Sequence, residues 1–278
     1  MSDPTPPVSD AGDQAEIVYS LSEHIALIRL NRPGAGNALT RSMRDALRGM
    51  WRRVEQDASV RAVVVTGTGP RHFCTGVDLR DVAATGRTTT GDGLARDEIV
   101  WSPLLAGITK PVVCAVNGMA VGGGLHFVVD ADIVVAGEHV EFIDTHTAVG
   151  MVGAVENVGL ARRLPIGTAL RMTLEGAAFR LRADRAYALG LVDELCAPGA
   201  ELDVALQIAR NIARNSPRAN QLSKLGIWSS IGAGHEEAAE FAWSLALGHR
   251  SHPDYTEGPR AFVERRPPEW ADPRPLED

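Results

Sequence analysis

The segment from Cys114 to Asp130 constrains the fold of this chain more than any other. Pro111 stops what precedes it, and Val112 to Val116 form an apolar, β-branched run that reads as a buried strand. Asn117-Gly118 turns the chain. Gly122-Gly123-Gly124 then opens a second apolar run, Leu125 to Val129. A Gly-rich turn entering a helix bares backbone N–H groups, and the helix dipole adds positive character at the same place. Such a turn suits an oxyanion as readily as a phosphate. A tight turn that lets strand and helix pack closely would explain the glycines equally well.

Along the chain, Ile17 to Leu30 predicts two short strands around a polar turn at Ser22-Glu23-His24. Thr40 is placed to cap a helix from Arg41 to about Gln56, whose apolar residues Met43, Ala46, Leu47, Met50, Trp51 and Val54 follow helical spacing. Val60 to Thr66 reads as a strand buried on both faces. The order β, β, α, β predicts an α/β protein with crossover helices. After the turn at Gly67–Pro70, Gly76 lets the backbone adopt a conformation that leaves the Val77 N–H facing a ligand. Residues 84–97 read as a loop or lid, and Asp97 to Gly107 as a short helix. Ile133 to Ala136 is the next strand.

Val140 to Gly150 carries the second informative pattern. If it is extended, Phe142, Asp144 and His146 share one face, because side chains alternate along a strand. Asp144 would then lie beside His146. Taken alone, His146 could equally be a surface histidine on a polar loop. His126 follows the triple glycine, however, so two histidines each follow a candidate active-site element.

The remainder is helical. Pro165 divides Gly159–Leu174 into two helices, and Gly190 ends a helix from Ala183, with a short strand expected at Leu191-Val192-Asp193. Further helices are expected over Leu202–Asn215, from Ser216-Pro217, over His235–Gly248 and over Gly258–Arg265. These boundaries divide the chain into a disordered tail (1–14), an α/β core (15–200) and a C-terminal helical region (201–278) that packs on a sister subunit.

Composition narrows the class. A net charge of −7 gives no support to nucleic-acid or anionic-membrane binding. No apolar run is long enough to span a bilayer. The first thirteen residues lack the regions of a signal peptide. Three widely spaced cysteines, Cys74, Cys114 and Cys196, without a Cys-x-x-Cys pair, suggest a reduced, cytoplasmic protein. No metal-ligand spacing is present.

Several motifs occur together in a recognisable order: Asn31-Arg32-Pro33 with Asn37-Ala38-Leu39, Phe73 to Asp78, Lys110-Pro111 to Gly124, Asp130-Ala131-Asp132-Ile133, and Ala186 to Val192. In these the chain resembles the enoyl-CoA hydratase (crotonase) superfamily from about residue 16 to Trp270. The resemblance implies an α/β, ClpP-like spiral of ββα units with a C-terminal helical region that builds trimers, often paired into hexamers. It implies an acyl-CoA thioester as substrate, with CoA part of that substrate and no separate cofactor. The thioester oxygen would sit between the backbone N–H groups of Val77 and Gly123. Arg32, Ala38, Thr75 and Asp78 fall in motifs matching the CoA surface. Phe262 and Arg265 fall in the segment that reaches a neighbour's CoA, where a basic residue suits a 3′-phosphate.

One departure matters chemically. Hydratases of this family use two glutamates on one water; the matching positions here are His126 and His146. Paired histidines with an acidic partner resemble the branch of β-diketone hydrolases exemplified by 6-oxocamphor hydrolase, and the acidic partners on offer are Glu156 and Asp144. Three activities are consistent with this pattern. One is an enoyl-CoA hydratase or isomerase-like lyase of acyl-CoA metabolism working through an enolate. Another is a C–C bond hydrolase of a cyclic β-dicarbonyl compound. The third is a non-catalytic CoA-binding protein.

Overall fold

A computed structural model describes residues 15–87, 93–273 and 275. The tail expected over 1–14 lies outside the described residues. Strands β1 (Ile17–Ser22) and β2 (Ile25–Leu30) form an antiparallel hairpin. Its turn residues Glu23 and His24 both have positive φ, at 51° and 65°, as a tight two-residue hairpin turn requires. Helix α1 (Arg41–Gln56) starts where expected: the Thr40 side chain accepts from the Met43 amide. Met43, Leu47, Met50, Trp51 and Val54 form its buried face, while Ala46 is exposed.

Six strands build the main sheet in the order β1, β2, β3 (Ala62–Gly67), β5 (Val112–Val116), β7 (Ile133–Gly137), β10 (Glu194–Cys196). All pairings after the hairpin are parallel. Burial on both faces explains why β3 is apolar from Ala62 to Val65 and β5 throughout. Val63, Val65, Val112 and Cys114 enter one core with α1. Val64, Val113 and Ala115 enter a second, against Ala205, Ala209 and Ala213 of α8 (Glu201–Ala213). Alanines every fourth residue let α8 lie close on the sheet. The first helix after residue 200 thus packs against the α/β core.

A second sheet orders β4 (His72–Cys74), β6 (Met119–Val121), β8 (Glu141–Ile143) and β9 (Leu181–Arg182). Lys110, 1 % exposed, closes the C-terminus of α1: its Nζ donates to the carbonyls of Val54 and Asp57 at 2.7 and 2.6 Å. Helices α2 (Leu79–Thr85) and α3 (Ala95–Glu98) follow β4, and α4 (Leu125–Asp130) follows β6 and packs on β5 and β6. After β8 come α5 (Val155–Arg163), α6 (Ile166–Glu175) and α7 (Ala183–Leu189). The chain closes with α9 (Pro217–Ser230), α10 (His235–His249) and α11 (Pro253–Glu264). Among the described residues no helix is long and apolar enough to cross a membrane.

Four local expectations are corrected. The helix expected over 97–107 is one turn, α3, because Pro103 cannot donate an amide hydrogen. The chain beyond it folds into turns that bury Trp101 and join Ser102 Oγ to the Asp130 carboxylate. The loop expected over 84–97 holds the end of α2 and most of α3, and residues 88–92 lie outside the described residues. The extended run expected over 140–150 stops at Ile143. The strand expected at 191–193 forms three residues later, at β10, after the Asp193 carboxylate and amide have both bonded Val134.

Candidate active site

The triple glycine is a single 3-10 turn leading from β6 into α4. Its glycines are needed for different reasons. A Cβ on Gly124 would collide with the Cys74 carbonyl oxygen, so the turn can back onto β4 only without one. Gly123 faces the other way. A Cβ there would lie 3.5 Å from the Val77 amide nitrogen and 3.4 Å from Gly76 Cα. Gly76 itself has φ +85°, open only to glycine in practice.

The backbone at Val77 is oriented by its neighbours. The Leu39 amide donates to the Gly76 carbonyl and the Asp78 amide to the Leu39 carbonyl, the pattern of a parallel bridge. In that pattern the amide of the central residue points away from the partner strand, so the Val77 N–H is turned from Leu39. Val77 and Gly123 both line a cavity of about 370 Å³.

Four side chains on the same cavity region form a connected chain. His126, in the first turn of α4, places Nε2 3.0 Å from Glu156 Oε2. His146 places Nε2 3.0 Å from Glu156 Oε1 and Nδ1 2.7 Å from Asp144 Oδ1. Glu156 thus stands between both imidazoles, one oxygen to each. Asp144 is wholly buried, and its second oxygen accepts from Asn157 Nδ2 at 2.8 Å. Asn157 is held in turn by Thr173 Oγ1 at 2.5 Å.

The contacts bias the charges. Burial pushes the Asp144 carboxyl up, but hydrogen bonds from the His146 ring and amide and from Asn157 hold it below its ordinary value. Burial likewise opposes ionisation of Glu156, and the adjoining imidazoles outweigh it, holding this carboxyl low. The hydrogen bond to Asp144 raises His146 against the opposing effect of burial, and the Glu156 charge adds to the rise.

The sequence-named residues divide into three sets. Val77, Gly123, His126, His146, Glu156 and Thr75 line the cavity, with Asp144 directly behind His146. Arg32, Ala38 and Asp78 meet one another instead: Arg32 Nη1 donates to the Ala38 carbonyl at 2.6 Å and lies 3.2 Å from Asp78 Oδ2. Glu16 takes the guanidinium Nε at 3.1 Å. The Arg32 guanidinium is committed to holding these segments together. Phe262 and Arg265 end α11 and are not among the residues lining this cavity; Phe262 is 84 % exposed.

Neither Trp101 nor Asn157 stands out as a site residue in the sequence, yet both belong to the site. Trp101 packs edge-on against the His126 ring, with centroids 4.7 Å apart and planes at 73°. Its carbonyl accepts from the buried Trp51 indole at 2.8 Å. The helical spacing of Trp101, Leu104 and Leu105 is no guide to its place, because turns rather than a helix position Trp101. Asn157 had one usable signal, its position next to Glu156. Among the described residues no group of His, Cys, Asp or Glu is arranged to hold a metal ion.

Comparisons with known proteins agree with this architecture. The family model for enoyl-CoA hydratase/isomerase matches residues 20–273. The chain is 31 % identical over 259 residues to an (E)-benzylidenesuccinyl-CoA hydratase of Thauera aromatica, covering 91 % of this chain and 97 % of that protein. It is 32 % identical over 261 residues to a 2,3-dehydroadipyl-CoA hydratase of Escherichia coli, covering 92 % and 98 %. Among solved structures, an enoyl-CoA hydratase/isomerase from Mycobacterium paratuberculosis superposes with a TM-score of 0.83 at 37 % identity, over 92 % of this chain and 98 % of that one. The fold is the α/β crotonase fold, and the chain belongs to the enoyl-CoA hydratase/isomerase family.

Proposed function

We propose that this chain is an enzyme of acyl-CoA thioesters. It would hold the thioester oxygen, as it becomes an enolate, on the amides of Val77 and Gly123. Proton transfer would fall to Glu156 with His126 and His146, in place of the family's glutamate pair. One observation carries this reading: the Glu156 carboxylate lies 3.0 Å from both imidazoles, on the cavity that Val77 and Gly123 also line. A titratable cluster beside converging donors is what enolate chemistry needs. The relatives named above are hydratases of CoA thioesters, which supports that substrate class. Assembly as a trimer, or a dimer of trimers, belongs to the same reading. Exposed Phe241, Trp243 and Leu247 on α10 support it. Hydration of crotonyl-CoA, followed as loss of enoyl absorbance, tests the proposal. A panel of enoyl-CoA esters that neither turn over nor bind would overturn it.

The same observation favours a second reading, C–C bond hydrolysis of a cyclic β-dicarbonyl compound. Two histidines joined by an acid resemble the β-diketone hydrolase set more than a glutamate pair. Incubation with a cyclic 1,3-diketone separates the two readings, because cleavage releases a titratable keto acid and hydration does not.

A further inference from the structure

Building on that reading, we infer that Glu156 is the proton acceptor of the cluster and that His146 is a positioning cation clamped between two carboxylates. Both nitrogens of His146 face carboxylate oxygens, Nδ1 at 2.7 Å from Asp144 and Nε2 at 3.0 Å from Glu156. An ionised carboxylate has no proton to give. A bare nitrogen lone pair at those distances would repel the oxygen. Both nitrogens therefore carry hydrogen, and an imidazolium has no lone pair left to receive a proton. The charged groups facing the ring are Asp144, just beyond β8, and Glu156, from α5. His126, from α4, touches the same cluster through Glu156.

Asp144 is not free to turn away. Its Oδ1 takes the His146 ring and, at 3.0 Å, the His146 amide. Its Oδ2 takes Asn157, which Thr173 holds. Asp144 and Asn157 are thus positioning residues: they fix the cation that fixes Glu156. The directions in which these groups are shifted agree with that arrangement.

Glu156 then has the free acceptor capacity. Each of its oxygens faces one imidazole and keeps a further lone pair. The proton count closes with this one acceptor. Water gives a proton to Glu156 as its oxygen bonds to the substrate carbon. The electron pair displaced moves onto the oxygen held by Val77 and Gly123. As that enolate collapses, Glu156 returns the same proton to carbon. The proton count is the same if water instead adds to a ketone: the tetrahedral oxyanion then re-forms a carbonyl, the C–C bonding pair leaves as the enolate, and Glu156 returns its proton to that carbon.

The test is a pH titration of the full-length protein by NMR with ¹⁵N-labelled histidine, signals assigned with His146→Gln. His146 should show two protonated ring nitrogens, with a midpoint above the ordinary histidine value. Asp144→Asn should lower that midpoint by about one unit or more. With whichever substrate turns over, the alkaline limb of the kcat–pH profile should move with it. A wild-type His146 with one bare nitrogen, titrating at or below the ordinary value, would overturn the assignment even if crotonyl-CoA is hydrated. The titration needs no substrate, so failure of the acyl-CoA reading leaves its result intact. The wild-type titration alone decides the charge, whatever the stability of the Asp144 variant.

Discussion

Gly76 and Gly123 back onto each other so closely that a Cβ on Gly76 would lie 2.7 Å from the Gly123 amide nitrogen. The reverse placement is milder, with a Cβ on Gly123 only in ordinary contact with Gly76 and Val77. Gly123→Ala should therefore fold, yet cover the Val77 amide with a methyl group. Loss of one such donor typically costs about 10²–10³ in kcat. Circular dichroism should match wild type. Gly124→Ala, facing the Cys74 carbonyl, should instead lower Tm. Near-normal turnover by Gly123→Ala would remove this wall from the mechanism.

Exchange of a proton-transfer group reduces rate by about 10²–10⁴, with far less effect on binding. Glu156→Gln should show that pattern, measured as kcat against KM. Placing glutamates at the two histidine positions is expected to fail in this context. His126→Glu with His146→Glu would surround Glu156 with two more carboxylates at sites now 3.0 Å from it. Such like charges resist joint ionisation. The double variant should be less stable at neutral pH than at acid pH, and a further Glu156→Gln should recover stability in thermal melts.

The cluster also predicts a pH window for stability. His146 is raised, so its contribution is complete below the unfolded histidine pKa and fades as pH rises through the folded value. Asp144 and Glu156 are lowered, so theirs is complete above the unfolded carboxylate values and fades as pH falls through the folded ones. The Tm difference between wild type and Asp144→Asn should be widest at about pH 5–6.5 and narrow on both sides. A difference independent of pH would show that the effect is packing alone.

A chain stopped before Glu201 should not remain soluble. Ala205, Ala209 and Ala213 cover Val64, Val113, Ala115 and Val135 of the main sheet. Their removal exposes an apolar sheet face. Aggregation in light scattering is the expected outcome, and a stable soluble species would contradict it.

Trp101→Ala removes a side chain that is 6 % exposed and packs on both His126 and Phe127. Stability should fall by about 3–5 kcal/mol. Because the indole also walls the cavity, kcat/KM should rise for bulkier acyl groups relative to crotonyl-CoA. A uniform loss across a chain-length series would confine Trp101 to packing.

Much of this was legible in the chain because strong local signals agreed with the tertiary result. The β-branched runs of β3 and β5 and the capped apolar stripe of α1 are of that kind. His126 and His146 were legible through motif positions. The pairing of Asp144 with His146 was expected from strand alternation but arises otherwise: the strand ends, and Asp144 Oδ1 closes a short turn onto the His146 amide and ring. The bridging place of Glu156 was hidden. Helix α5 starts at Val155 without a capping side chain, in an Ala154 conformation of φ −121°, ψ −89°, so nothing marked the first turn that aims Glu156 inward.

The edge-on stacking of Trp101 against His126 gives the cavity a built-in optical reporter. Indole emission responds to nearby charge and solvent, and of the five tryptophans Trp101 is the one that lines this cavity. A ligand entering beside His126 changes the surroundings of that ring before any bond is made or broken. Fluorescence titration can therefore rank ligands by occupancy, with Trp101→Phe as the silent control, even for compounds the protein never converts.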